Sequence, residues 1–152
     1  MLATLATQHL ETATFCASPE VTDTLALANL AAHIALDRQM PTLLLTTKCS
    51  ASLFAFNLLL LRAAIDPRDL PDLWCTCNVF ARLTAAAGAI ARAPLLVLSS
   101  TPLAITWRTV LALGGDHRTR RIITDAGAEA IPQLQQISCA FGLPITTISV
   151  TR

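Results

Sequence analysis

The chain has 152 residues, a length that fits one domain over residues 1–152 with a buried core. Apolar residues make up 53% and charged residues 14%, and the net charge of +1 gives no general attraction to nucleic acid. No apolar run reaches the ~20 residues of a membrane span, and no signal peptide is recognisable, so we expect a cytoplasmic protein without membrane contact.

Short apolar runs alternate along the chain with longer segments of helical periodicity. The runs predict strands at 12–17, 42–46, 95–99, 121–124 and 145–150. The longer segments predict helices at 25–36, 51–65, 73–91, 105–113 and 128–141. Strands of about five residues separated by helices indicate βαβ units. We therefore expect an α/β fold with a mostly parallel sheet of about five strands, flanked by helices on both faces.

Three other features have simple interpretations. The segment "DPRDLPDL" at 66–73 contains two prolines and three acids and is predicted to be a surface loop. Cys75 and Cys77 lie two positions apart on a predicted helix, where their side chains point to different faces, so we expect no metal site. The basic cluster "HRTRR" is either a solvated loop before a strand or a weak contact for nucleic acid, formed by His117, Arg118, Arg120 and Arg121.

Several stretches in this order resemble motifs of one family, the RecA-like motor domain of DnaB-type replicative helicases. "FCASPEVTDTLALANLAAHIAL" is similar to that family's strand, Walker A loop and helix, usually A-R-P-x-x-G-K-T-x-x-A-L-N. "FARLTAAAGAIARAPLLVLSSTP" is the most specific match, to W-x-R-L followed by A-P-L-x-I-D-D-T-P. "RRIITDAG" resembles the Walker B strand, and "GLPITTISVTR" resembles the strand P-V-I-x-L-S-Q-L-N-R. The resemblance covers almost the whole chain and implies a three-layer RecA-like sandwich of the P-loop NTPase type.

The resemblance also implies where a nucleotide site would lie. Its positions here are Ser18, Pro19, Thr22, Asp23, Thr24, Lys48 and Asp125. Thr22 stands at the loop glycine, Asp23 at the loop lysine and Lys48 at the catalytic glutamate. A cation about 4 Å from a phosphate contributes roughly 4 kcal/mol at an effective dielectric near 20, so an acid at the lysine position reverses a large attraction. We expect a degenerate site with no catalytic residue, no ATP and no magnesium.

The individual residues have alternative readings. Asp125 matches the metal-associated acid of Walker B, but it can equally cap the next helix, whose first turn holds Glu129. Thr24 is either a magnesium ligand or an ordinary residue at the start of a helix. Asp23 and Lys48 have exchanged the charges of the family's lysine and glutamate, which predicts an ion pair across the old pocket. The alternative is that both substitutions face solvent independently.

The leading hypothesis is a non-catalytic helicase-like domain that acts as a protein-interaction or regulatory module linked to DNA replication. Its partner would be a second copy of itself or a replicative helicase or other replisome protein. The first alternative is a residual nucleotide-binding or ATPase domain of a replicative helicase. The second is a weak DNA-binding module that uses the basic cluster. A decayed gene is a further alternative that the residues leave open.

Overall fold

A computed structural model describes residues 10–16, 23–73, 77–99 and 119–151 of the chain. The strands are β1 Leu10–Cys16, β2 Thr42–Thr46, β3 Leu95–Ser99, β4 Arg121–Thr124 and β5 Ile145–Thr151. The α-helices are α1 Asp23–Ala31, α2 Ala51–Ala63, α3 Leu70–Leu73, α4 Cys77–Arg92 and α5 Ile131–Phe141. A π-helix at Ala32–Asp37 continues α1, and a 3-10 turn at Ala128–Ala130 precedes α5.

The five described strands form one sheet in the order β1-β5-β4-β2-β3, and every neighbouring pair is parallel. The predicted fold class is therefore confirmed. Strand β1 near the beginning of the chain pairs with β5 near its end, so the two terminal regions lie side by side in the sheet. Because all neighbouring strands are parallel, their carboxyl ends lie at one edge of the sheet.

Alternate residues of β2 face two separate parts of the core. Leu44 packs on one face of the sheet with Leu27 of α1 and with Phe54 and Leu58 of α2. Leu43 and Leu45 pack on the other face with side chains of β4, β5 and α5, among them Ile122, Leu134, Ile137 and Ile145. Apolar residues on both faces are typical of a buried parallel strand. Helices therefore cover both faces, as a three-layer sandwich requires.

Three helical segments differ from the sequence-based prediction. The helix predicted at 25–36 changes to a π-helix halfway, where the Arg38 amide donates to the His33 carbonyl five residues earlier. The helix predicted at 73–91 begins at Cys77 within the described residues. The start of the helix predicted at 128–141 is a 3-10 turn. The helix predicted at 105–113 lies outside the described residues.

The prediction of a loop throughout 66–73 was wrong for its second half, which forms α3. Pro71 lies in the first turn of that helix, where the missing backbone N–H has no intrahelical partner to lose. The first half is a turn, in which the Asp66 carboxylate accepts a hydrogen bond from the Arg68 amide at 2.9 Å.

In the part of the chain that the structure describes, none of the helices combines the length and the hydropathy needed to cross a membrane.

Candidate functional site at the carboxyl edge of the sheet

The topology brings three predicted site positions to one edge of the sheet. Strands β2 and β4 are parallel neighbours with Leu45 opposite Thr124, so the residues that follow each strand, including Lys48 and Asp125, emerge together. Helix α1 and its π-helical continuation connect to the amino end of β2, so the first residue of α1, Asp23, lies towards the carboxyl edge. The site of a doubly wound sheet is at this edge.

Asp125 lies at this edge, and its carboxylate accepts three hydrogen bonds from the last residue of β2 and the residue after it. Only 1% of the residue is exposed. Oδ2 accepts a hydrogen bond from the Thr46 hydroxyl at 2.9 Å. Oδ1 accepts one from the Thr47 amide at 2.6 Å and one from the Thr47 hydroxyl at 3.0 Å. A buried carboxylate needs such donors, and here they join the ends of β4 and β2.

The interpretation of Asp125 as a cap of the following helix was wrong. The residue that precedes α5 is Ala130, and no side chain caps that helix. The 3-10 turn at Ala128–Ala130 separates Asp125 from α5, and the carboxylate turns towards β2 instead. The amide that Asp125 satisfies therefore belongs to Thr47, in the loop after the neighbouring strand.

The loop between β2 and α2 is fixed by a short chain of polar contacts. The Thr46 hydroxyl donates its one proton to Asp125, so the Cys49 thiol, 3.2 Å from the Thr46 Oγ1, is the donor in that contact. The Ser99 hydroxyl at the end of β3 donates to the Cys49 carbonyl at 3.2 Å. Ser50 caps α2 by accepting a hydrogen bond from the Leu53 amide. Three strand ends and one helix start are thus held together.

Other predicted site residues are placed as follows. Lys48 is exposed in the loop after β2, and Thr24 is half-buried in the first turn of α1. Ser18, Pro19 and Thr22 lie outside the described residues, and so does the side chain of Asp23. The predicted Asp23–Lys48 ion pair therefore stays a prediction. Among the described residues, no group of three or more His, Cys, Asp or Glu side chains is close enough to hold a metal ion.

Comparison with solved structures identifies this architecture. A DnaB-like replicative helicase, described together with its interactions with primase, superimposes with a TM-score of 0.73 and 12% sequence identity over 93% of this chain. A solved ATPase domain superimposes with a TM-score of 0.71 and 12% identity, also over 93% of the chain. The chain has the RecA-like fold of DnaB-type replicative helicases. It spans 38% of the first of these proteins and 56% of the second. No protein-family model matches the sequence, and no curated protein matches it.

In this RecA-like fold, the described part of the basic cluster lies at the edge opposite Asp125. Arg121 is the first residue of β4, and the Arg120 amide donates to the Pro41 carbonyl just before β2. The Arg121 guanidinium is partly buried, and its Nη1 donates to the Thr146 hydroxyl at 3.1 Å. Arg120 is exposed, whereas His117 and Arg118 lie outside the described residues. Weak DNA binding by this cluster stays a prediction, and it would be separate from the carboxyl edge.

Two polar contacts of this fold were missed by sequence reasoning. Thr46 and Thr47 lie at the end of a predicted strand, next to Lys48. Because parallel strands end at the same edge, their position after one strand could have indicated contact with Asp125 after the neighbouring strand. Arg82 belongs to the motif that resembles W-x-R-L, and its guanidinium donates to the carbonyls of Ala63 and Ala64 at the end of α2. Cations stabilise the carboxyl end of a helix, so Arg82 joins α4 to α2.

Proposed function

We propose that this chain is a non-catalytic, helicase-like domain that binds a protein partner and regulates or accompanies DNA replication. The partner is a second copy of the chain, a replicative helicase or another replisome protein. The proposal includes one domain over residues 1–152 in the cytoplasm, and the pairing of β1 with β5 supports a single domain.

The observation that carries the proposal is the engagement of Asp125. In the family that the sequence resembles, this position associates with the metal of the nucleotide. Magnesium takes oxygen ligands in a near-ideal octahedral arrangement. Here both carboxylate oxygens already accept hydrogen bonds, Oδ2 from Thr46 and Oδ1 from Thr47. Oδ1 accepts two of these hydrogen bonds and Oδ2 accepts one, so a metal could use only the remaining lone pair of Oδ2. Because the residue is also only 1% exposed, this arrangement supports a site that does not bind a magnesium–nucleotide group.

The substituted residues nearby agree with this assignment. Lys48 stands where the resemblance implies a catalytic glutamate, and an ammonium cannot accept a proton from an attacking water. Ser99 stands where the resemblance implies an aspartate, and its hydroxyl donates to the Cys49 carbonyl, which an ionised carboxylate cannot do. The hydrogen bond from Ser99 therefore supports a site that has lost its catalytic acids.

A second observation supports binding of a protein. Large apolar side chains are exposed on the helical layer: Leu53 by 50% and Phe56 by 45% on α2, and Phe80 by 54% on α4. Leu53 and Phe56 are three positions apart, so they lie on one face of α2. Exposed apolar groups of this size are typical of protein interaction surfaces, where aromatic residues are enriched.

The test measures binding of a purified replicative helicase and self-association in parallel, by pull-down and by sedimentation. We expect one of the two partners to bind, and we expect the double variant Leu53→Ser, Phe56→Ser to weaken that binding at least tenfold. Gln135→Ser, at an exposed position of α5, is the matched control and should bind normally. Equal binding by both variants would contradict the proposal, and so would the absence of binding to a second copy, to a replicative helicase and to the other purified replisome proteins.

The residual ATPase alternative is tested separately by calorimetry with ATP and magnesium and by a phosphate-release assay. We expect neither binding nor turnover, with an active replicative helicase as positive control. Thr24 and Asp125 are the residues that favour this alternative, and Thr24 lies in the first turn of α1 at the carboxyl edge. Turnover that is lost in Thr24→Ala would contradict the non-catalytic assignment and support an ATPase.

A further inference from the structure

A cavity opens between α1, α2 and the loop that follows α2, and it is distinct from the cluster around Asp125. Its volume is about 330 Å³. Leu60 and Ile65 are buried where they line it, and Leu25 and Leu61 are half-buried. A protein cavity of about 150 Å³ lined by apolar side chains is large enough to hold benzene. This cavity therefore has room for one large apolar side chain together with the peptide group beside it.

Among the described residues that line the cavity, Asn57 is the uncharged polar side chain. Asn57 lies in the middle of α2, half-buried, and lines the cavity. Asn29 of α1 donates to the Leu25 carbonyl four residues earlier, as an asparagine inside a helix often does. Within the described ranges, the Asn57 amide makes no such hydrogen bond. Its amide offers two donor protons and one acceptor oxygen in a plane, which is the complement of a peptide group.

The charged side chains among the described lining residues are Asp66 and Arg68, which have opposite signs. The Asp66 carboxylate accepts from the Arg68 amide at 2.9 Å and lies 3.7 Å from the Arg68 Nε. Both side chains are well exposed, and Pro67 between them completes the rim. A positive rim would attract a phosphate group and a negative rim a basic peptide, whereas opposite charges paired with each other favour an uncharged ligand.

We infer that this cavity holds one leucine-type or phenylalanine-type side chain of a partner polypeptide, with the Asn57 amide paired to the neighbouring peptide group. The inference rests on the proposed function, because it specifies which segment of the proposed partner binds. That segment is an uncharged stretch with one bulky apolar residue. The apolar side chain displaces water from the cavity, and the amide fixes the direction of the bound segment.

The direct test uses blocked amino acids as probes and the ¹⁵N-labelled protein. N-acetyl-leucinamide and N-acetyl-phenylalaninamide should shift the Asn57 side-chain amide signals with a Kd of about 1 mM, the order expected for ligands of this size. N-acetyl-glycinamide should bind at least tenfold more weakly, since it has no side chain to bury. Adenosine is the competing probe. Binding of adenosine without binding of the leucine or phenylalanine probe would overturn the inference, and so would equal binding of all three amides.

Variants distinguish the contribution of the Asn57 amide to binding from the contribution of the cavity. Leu61→Trp fills the space and should abolish the shifts, whereas Gln135→Trp, at an exposed position of α5 outside the cavity, should leave the Kd unchanged. Asn57→Leu removes the amide and should raise the Kd about tenfold. Asn57→Ser serves the same purpose if the leucine variant does not fold, as judged by circular dichroism. An unchanged Kd in a folded Asn57 variant would contradict the role of the amide.

Failure of this inference can be told from failure of the proposed function. If the partner captured in the pull-down binds Leu61→Trp normally and the blocked amino acids do not shift the spectrum, the cavity is not the docking site, although the chain still binds a partner. If Leu61→Trp weakens capture of that partner at least tenfold while Gln135→Trp, at an exposed position of α5, does not, the inference is supported.

Discussion

The carboxyl edge of the sheet and the outer surface of the helical layer both depart from the usual rule that polar side chains are exposed and apolar ones are buried. At the edge, polar groups are buried: Thr46 and Thr124 are fully buried and Asp125 is 1% exposed. On the helical layer, the large apolar residues Leu53 and Phe56 are exposed. Among the described residues, the polar groups of the edge form hydrogen bonds with one another. The apolar side chains on the helices keep solvent-exposed area that another molecule could bury.

Two phenylalanines on the same helix give the largest expected contrast. Phe54 is fully buried and Phe56 is 45% exposed, although they are only two positions apart on α2. Phe54→Ala should lower the free energy of unfolding by about 3–5 kcal/mol, because it leaves a cavity in the core. Phe56→Ala should change it by about 0.5 kcal/mol or less. Urea denaturation measures both, and similar losses would show that the outer face of α2 is part of the core.

Removal of the central carboxylate should have the next largest effect. Asp125→Ala deletes the acceptor of three hydrogen bonds and leaves the Thr46 hydroxyl and the Thr47 amide unpaired. We expect a loss of about 3 kcal/mol in the free energy of unfolding. Asp125→Asn should lose less, since one acceptor oxygen remains. The exposed acid Asp69, changed to alanine, is the control. A loss no larger than that of the control would mean that the edge is not closed by this carboxylate.

The contact between α4 and the end of α2 should contribute less. Arg82 donates from Nε and Nη2 to the Ala63 carbonyl at 2.9 and 2.6 Å. Arg82→Ala should lower the free energy of unfolding by about 1–2 kcal/mol, because the Ala63 carbonyl loses its charged hydrogen-bond donor. Arg92→Ala, at the exposed end of the same helix, should cost about 0.5 kcal/mol or less. Equal effects in thermal denaturation would assign no structural role to Arg82.

The predicted pair of reversed charges should give the smallest effect. Lys48 is exposed, so an ion pair with Asp23 should contribute about 0.2–1 kcal/mol. A double-mutant cycle of Asp23→Asn and Lys48→Gln, measured by urea denaturation at low salt, isolates this coupling. The coupling should shrink as salt is added. A value of zero at low salt would show that the two substitutions face solvent independently.

Much of the fold follows from local patterns in the sequence. The predicted strands at 42–46, 95–99 and 121–124 coincide with β2, β3 and β4 because each is a short apolar run bounded by polar residues or a proline. The parallel order of strands then places residues after the strands, such as Lys48 and Asp125, at one edge. The π-helix after α1 and the short α3 were missed, because both depend on a few local hydrogen bonds that periodicity does not encode.

The sequence by itself determined the alternation of strands and helices, since burial of a parallel sheet requires apolar runs of that length and spacing. It also determined which charges stand at the positions that the resemblance assigns to a nucleotide site. Only the tertiary structure decided what those positions contact. Asp125 meets Thr46 across 79 positions of the chain, and Arg82 meets Ala63 across 19. Such contacts depend on the register of β4 against β2 and on the packing of α4 against α2, which arise from the whole core rather than from any short segment.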